Sequence, residues 1–361
     1  MFRPPAGDGR CNRTGSQQVP TRCRGRSVGA GASVVDCLPS GLRWVATAGD
    51  RKEHGGGGSS ACLSGTTARE AEQPFQLSPL IVVHDGLSNG LRVGNIWLMK
   101  IENWYDYPQY FDLVFRDENA LEVAFFQTAF AKYADGPVKR LLEPGCGGGR
   151  LIVEMAALGY EMVGMDLSKP SLAYLRRRLQ RRGFAAELIH GDMTSFELDQ
   201  PVDSGFCTFN TFRHLLTEEA AVEHLNCVAK AIRPGGIYIL GFHIIPLDAD
   251  EQCTERWKAR HGGTEVSVTL AVRGFNRAAR QEHLRATLTA KRRGAGKVAP
   301  RTIRCQSNFD LRLYTLPEVR SLLAKVPQFE IAEVFDFDYD MESTREMDDD
   351  LTDALFVLRR I

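Results

Sequence analysis

From residue 138 onward, short apolar runs alternate with stretches whose apolar residues recur every three or four positions. Residues 138–143 form such a run, ending in the acid Glu143. Leu151, Ile152, Met155, Ala156 and Leu158 then follow at helical spacing, and Gly159 is placed to stop that helix. The pattern predicts further strands at 162–167, 187–192, 205–209 and 237–242, with helices over 170–182 and 218–232. Strand and helix in alternation predict an α/β fold, a doubly wound, mostly parallel sheet with helices on both faces. A terminal strand pair at 329–338 and 355–359 brings the sheet to seven strands. Between them, residues 246–314 hold three partly alternating strands (265–272, 283–289, 302–311), which predict an antiparallel β insertion after strand five. That insertion is expected to roof the substrate side or to form a dimer edge.

Ahead of this pattern the chain changes character. Residues 1–98 carry 16 of the 34 glycines, ten arginines and one lysine, Lys52, and include the uninterrupted run from Gly55 to Gly58. No stretch before Ser78 keeps a helical or strand period, and too little apolar surface lies there to offset the entropy of ordering it. We expect residues 1–98 to be a disordered Gly/Arg-rich extension and residues 99–361 to be the functional domain. The bias toward arginine stops near Met99 and Lys100, which raises the expectation of a native product that starts there without the extension.

Composition narrows the partners. Lys and Arg total 45 against 45 Asp and Glu, which removes any global pull toward nucleic acid or an anionic membrane. The longest strongly apolar stretch, 237–247, is too short to span a bilayer. None of the nine cysteines forms a C-x-x-C pair, so neither a metal centre nor a disulfide framework is expected. The runs Arg176–Arg178 and Arg181–Arg182 are expected on the outer face of a helix. The expectation is a cytoplasmic monomer or homodimer acting on a small molecule.

In a doubly wound sheet, ligands sit beyond the carboxyl ends of the strands, at the topological switch. Here those are the loops after Glu143, Asp166, Asp192 and Phe209. The cluster Gly145-Cys146-Gly147-Gly148-Gly149 lets the backbone turn sharply and lets a ligand approach closely, and the helix after it points free N–H groups the same way. Asp166 ends the second strand, where a carboxylate can accept paired hydrogen bonds from ribose hydroxyls. Taken singly, Gly147 and Gly149 suit close helix–strand packing equally well, and Asp166 and Asp192 suit helix capping. Their placement at successive strand ends is what points to a site.

Together these segments resemble class I S-adenosylmethionine-dependent methyltransferases of the small-molecule type. Glu143-Pro-Gly145-Cys-Gly147-Gly-Gly149 is similar to the family's first motif and Val163-Gly-Met-Asp166-Leu-Ser168 to its second acidic motif. His190-Gly-Asp192-Met193 is similar to the adenine-side motif, and Ile232-Arg-Pro-Gly-Gly236 to the turn before strand five. The resemblance implies that S-adenosyl-L-methionine is bound and S-adenosyl-L-homocysteine released. It places Glu143 near the methionine ammonium, with Gly145, Cys146, Gly147, Gly149 and Arg150 passing beneath the methionyl chain. It places Asp166 and Leu167 at the ribose, Asp192 and Met193 around the adenine, and Phe209 and Asn210 over the sulfonium. Tyr110, in the aromatic segment from Tyr105 to Phe111, would help close over the cosubstrate.

A nicotinamide-dependent oxidoreductase fits less well, because the dinucleotide fingerprint needs glycine where Arg150 or Ile152 stands. A non-catalytic S-adenosylmethionine-binding or interaction module is the other alternative. The acceptor's O, N or C nucleophile is left open, since SN2 displacement from a sulfonium owes much of its rate to positioning. His214 and His243, just beyond strands four and five, are the candidate bases.

Overall fold

The computed structural model describes residues 103–115, 119–294 and 299–361, with the backbone of three two-residue strands ahead of them. The expected extension 1–98 lies outside the described residues, apart from the antiparallel pair β1 (Arg92–Val93) and β2 (Ile96–Trp97). In chain order there follow β3 (Lys100–Ile101), α1 (Pro108–Phe115), α2 (Asn119–Tyr133), β4 (Arg140–Pro144), α3 (Arg150–Ala157), β5 (Glu161–Asp166), α4 (Lys169–Arg182), β6 (Ala186–His190) and β7 (Ser204–Cys207). The second half runs α5 (Glu218–Ala231), β8 (Ile237–His243), β9 (Thr254–His261), β10 (Thr264–Asn276), β11 (Gln281–Arg292), β12 (Arg301–Arg312), α6 (Leu316–Ala324), β13 (Phe329–Phe335) and β14 (Asp353–Arg360).

Seven strands form the central sheet in the order β13-β14-β8-β7-β4-β5-β6. β4, β5, β6, β7 and β8 are parallel, while β14 runs antiparallel between β8 and β13. The chain winds outward from β4 to β6, then returns to β7 on the other side of β4. That reversal opens a crevice beyond the carboxyl ends of β4 and β7. Every residue of β8 is buried, as expected of a strand covered on both faces. Ile237 and Ile239 pack with α2, α3 and α4, and Tyr238 and Leu240 with α5 and α6. Burying each such side chain is worth about 1.5–3 kcal/mol.

Local chemistry sets the helix ends. Ser168 caps α4 by accepting from Ser171 N–H, and Gly183 closes that helix in the left-handed conformation. Thr217 caps α5 in the same way. No helix among the described residues is long and apolar enough to cross a membrane.

The insertion supplies four strands of a five-stranded sheet, β3-β12-β11-β10-β9, antiparallel except for the short parallel edge of β3, from ahead of the central sheet, on β12. Its inner face, including Val266, Val268, Ala286 and Leu288, packs on Trp104 and Phe115. Besides the two-residue strands β1 to β3, the elements outside the expected pattern are α1, α2, α6 and β9. α2 buries Val123, Phe125, Phe126, Ala129 and Phe130, a band too wide to show a clean one-sided period. β9 alternates, but most of its inward positions are weakly apolar, with Glu255 and Ala259 flanking Trp257.

Candidate functional site

The four loops at the carboxyl ends of β4 to β7 do converge, and the insertion sheet covers them. Between floor and roof lies a cavity of about 1230 Å³.

The floor is built around the glycine loop. Gly147 has φ +53°, and a Cβ there would project into open space. Its N–H donates to Asp166 Oδ2 at 2.7 Å, while Asp166 Oδ1 accepts from Ser168 N–H at 2.7 Å. One carboxylate therefore ties the loop after β4 to the turn after β5. Burial raises the Asp166 pKa, against the opposing pull of those two hydrogen bonds. Each oxygen keeps lone-pair capacity for a ligand hydroxyl.

Glu143, at the end of β4, is buried, and its Oε2 has no hydrogen-bond partner. Burial pushes its pKa up to about 8, partly opposed by Arg150 and reinforced by Glu122 and Asp166. An unpartnered buried carboxyl oxygen facing a cavity suits a cationic donor. Arg150 itself is taken up by protein: Nη1 donates to Asn119 Oδ1 and Glu122 Oε2, each at 2.6 Å. Its guanidinium lies 5.3 Å from the Phe209 ring centroid. Thr208 Oγ donates to the other oxygen of Glu122 at 2.6 Å.

Beyond β7, Phe209 and Asn210 both have left-handed backbones, φ 59° and 65°. For non-glycine residues each costs about 1–3 kcal/mol and persists only where neighbours hold it. Asn210 Oδ1 accepts the His243 N–H at 3.0 Å and so clasps this turn to the end of β8. The following turn presents Arg213, which is fully buried. It donates to the Arg312 carbonyl at 2.8 Å and pairs with the fully buried Glu282 of the roof.

The two histidines differ in what they have left to offer. His214 Nε2 shares a hydrogen bond with Tyr105 OH at 3.1 Å. Burial, with Arg213 nearby, pushes its pKa down to about 4. His243 lies 2.6 Å through Nδ1 from Asp353 Oδ1. A carboxylate accepts only, so Nδ1 carries the hydrogen of this pair. That Nε2 is buried, has no partner, and belongs to a ring lining the cavity.

Residues 141–236 match the methyltransferase domain family. Over that stretch the chain is similar to methyltransferases. It is 29% identical over 158 residues to the cypemycin N-terminal methyltransferase of a Streptomyces species, covering 43% of this chain and 56% of that one. It is 31% identical over 98 residues to a ubiquinone biosynthesis O-methyltransferase of Aromatoleum aromaticum, covering 27% and 41%. The chain spans about half the length of the curated relatives it matches. An S-adenosylmethionine-dependent methyltransferase from Clostridium acetobutylicum has the same fold, with TM-score 0.54, 13% identity and coverage of 72% and 99%.

Of the residues expected at the site, Glu143, Gly145, Cys146, Gly147, Arg150, Asp166, Leu167, Met193, Phe209, Asn210, His214 and His243 all line the cavity. Three expected residues stand apart from it. Gly149 has φ +73° and packs on α4; a Cβ there would come within 2.1 Å of Leu175 Cδ1. Asp192 turns back on its own loop, where Oδ1 accepts from Thr194 N–H and Oγ–H, each at 2.9 Å. Tyr110 stacks on Tyr107, and Tyr105 and Phe111 of the same segment face the cavity instead. Ser171 Oγ donates to the Tyr105 carbonyl at 3.0 Å, holding that segment over the floor.

Glu122, Thr208, Asp353, Trp257 and Phe309 were beyond sequence reasoning. Asp353 comes opposite His243 only through the antiparallel β14–β8 register. The predicted last strand began at residue 355, two positions too late to expose that pairing. Among the described residues, no group of three or more His, Cys, Asp or Glu side chains is placed to hold a metal ion.

Proposed function

We propose that this chain transfers a methyl group from S-adenosyl-L-methionine to a small-molecule acceptor. The observation that carries the reading is the pairing, on one floor, of the unpartnered Glu143 Oε2 with an Asp166 carboxylate already fixed by the glycine loop. Glu143 receives the ammonium of the methionyl group, Gly145 and Gly147 pass beneath its chain, and Asp166 accepts the ribose hydroxyls. Leu167 and Met193 border the base, and Phe209 presents a ring face toward the sulfonium, an arrangement favoured by cation–π attraction. When bound, S-adenosyl-L-methionine supplies an electrophilic methyl group on a good leaving group.

The protein's own task is then orientation, exclusion of water and removal of one proton. His243 Nε2, oriented by Asp353, is the group that takes the acceptor's proton. His214 is a positioning residue, because its Nε2 is already engaged by Tyr105. Two of the matched relatives are named for an N-terminal methylation and an O-methylation, and both suit an acceptor that must lose a proton.

Calorimetric titration of the full chain tests the reading. Micromolar binding of S-adenosyl-L-methionine and S-adenosyl-L-homocysteine, lost in Asp166→Ala, is expected. Binding of NADH in their place would overturn it. Cosubstrate binding with no turnover on any acceptor would point to a non-catalytic binding module.

A further inference from the structure

Resting on the methyl-transfer reading, we infer that His224 of α5, which does not border the cavity, is a positioning residue for S-adenosyl-L-methionine: it holds the Met193 carbonyl and so fixes the wall beside the adenine. That wall comes from a stretch with little structure of its own. Residues 191–203 link β6 to β7 without a helix or strand, apart from one isolated bridge between Val202 and Ile232. Met193, near the start of the stretch, borders the cavity. It also packs on the apolar cluster that includes Leu225 and Val228 of α5.

Two side chains of α5, one turn apart, take successive carbonyls of this stretch. His224 Nδ1 lies 3.0 Å from the Met193 oxygen, and Cys227 Sγ donates to the Thr194 oxygen at 3.4 Å. Across the ring, His224 Nε2 lies 2.9 Å from Tyr238 OH. A carbonyl accepts only, so Nδ1 carries a hydrogen. Burial pushes the His224 pKa down to about 4, which leaves the ring neutral near neutral pH. Nε2 therefore accepts from the tyrosine hydroxyl. Tyr238 is also hydrogen-bonded to Cys207 of β7. Met193 is thus tied to β8 and β7, two inner strands of the central sheet, and a rigid element holds a site more closely than a loop does.

Packing alone does not call for histidine here. His224 is fully buried, with the Phe212 ring centroid 5.5 Å away. An imidazole is costly in such a place unless its nitrogens are bonded, whereas a phenylalanine of similar shape buries apolar surface at no such cost. What the histidine adds is a donor of fixed direction. With the Met193 oxygen held toward α5, the peptide cannot swing into the cavity. Asp192 stiffens the same turn from within, through Thr194; His224 fixes that turn to the sheet.

The test reads affinity and stability together on the full chain, with S-adenosyl-L-homocysteine as the probe. His224→Phe keeps a ring and loses both hydrogen bonds. His224→Asn keeps a donor, its Nδ2, where Nδ1 stands, and loses the bond to Tyr238. A residue that served only the core would lower stability in both and leave their affinities alike. The expected result is binding about tenfold weaker in His224→Phe, in keeping with the loss of one hydrogen bond, and within about threefold of the unaltered chain in His224→Asn. Both variants should be less stable to denaturant. If His224→Phe does not fold, His224→Leu makes the same comparison. Methionine methyl NMR on isotope-labelled protein reads the wall itself. The Met193 signal, assigned by its loss in Met193→Leu, should move when the probe is added to the unaltered chain and to His224→Asn. In His224→Phe it should already be displaced or broadened before addition. Equal affinities in the donor-keeping and donor-lacking variants overturn the proposal, as does a Met193 signal indifferent to the probe in the unaltered chain. Either result leaves the methyl-transfer reading standing. If the unaltered chain does not bind the probe, that reading falls, and this assignment with it.

Discussion

The floor and the roof of the cavity are made in different ways. On the floor, polar groups are fixed by neighbours close in sequence or one strand away: Asp166 holds Ser168 and Gly147, and Ser168 caps α4. The roof is held by side-chain packing and strand register, with Trp104, Phe115 and Trp257 meeting from three separate elements. Short turns with obligatory backbone hydrogen bonds tolerate few residue types. A packed aromatic wall accepts many sequences of similar volume. A cosubstrate site of the first kind and an acceptor site of the second allow one scaffold to keep its methyl donor while its acceptor changes.

The sharpest way to break the contrast is at the residue where both halves meet. His243 stands at the end of floor strand β8, and the residue borders the cavity. His243→Ala is expected to lower kcat by about 10²–10⁴-fold and to leave S-adenosyl-L-methionine affinity within twofold. Stopped-time product assays and calorimetry on one preparation check both halves of that statement. A parallel loss of affinity would mean the histidine serves the floor rather than the chemistry.

Next in size is the buried pair Arg213–Glu282, the ionic tie between floor and roof. Removing one partner strands the other charge away from water. Glu282→Ala should therefore cost about 3–5 kcal/mol of stability, measured by denaturant unfolding. The double variant Arg213→Met, Glu282→Leu should recover most of that loss, since it removes both charges. If the single variant costs under 1 kcal/mol, the roof is not anchored through this pair.

On the floor alone, Asp166→Ala deletes the acceptor of two backbone hydrogen bonds together with the proposed ribose contact. Cosubstrate affinity should fall about a hundredfold, or near 3 kcal/mol. Asp192→Ala, whose carboxylate serves only its own turn among the contacts seen here, should change affinity less than threefold. Equal effects of the two substitutions in calorimetry would erase the distinction the structure draws between them.

The same contrast explains what could be read in advance. The order of β4 to β8 and their helices follows from local periodicity and from stops such as Gly159, so most of the floor was legible. The Glu143, Asp166 and Gly147 positions came with it, because each ends or follows a predicted strand. Asp192 shows how such a position is ambiguous: a carboxylate at a strand end can serve a ligand or its own turn, and its Oδ1 here accepts from Thr194, two residues on. Asp353 and Glu282 carry no local signal, since each acquires its partner through pairing between segments 69–110 residues apart. β9, with one large apolar residue facing inward, reads as polar until Trp257 meets Phe115.

The last prediction concerns Glu143 and separates a floor that merely fits its ligand from one tuned to it. Its pKa of about 8 in the folded protein, against an ordinary value of 4.5, means that the folded state binds the extra proton between those limits. Stability without cosubstrate should accordingly decline as pH rises from 4.5 toward 8, because ionising the buried carboxyl costs more in the folded chain. The ammonium of the cosubstrate favours the ionised form, so binding below pH 8 should expel a proton. Affinity should then rise with pH by up to about tenfold per unit before levelling near 8. Titrations in buffers of different ionisation enthalpy count that proton directly. Glu143→Gln should abolish its release and flatten the profile while lowering affinity. A flat profile in the unaltered protein would show that Glu143 is already ionised before the cosubstrate arrives, stabilised by Arg150 more strongly than burial opposes it.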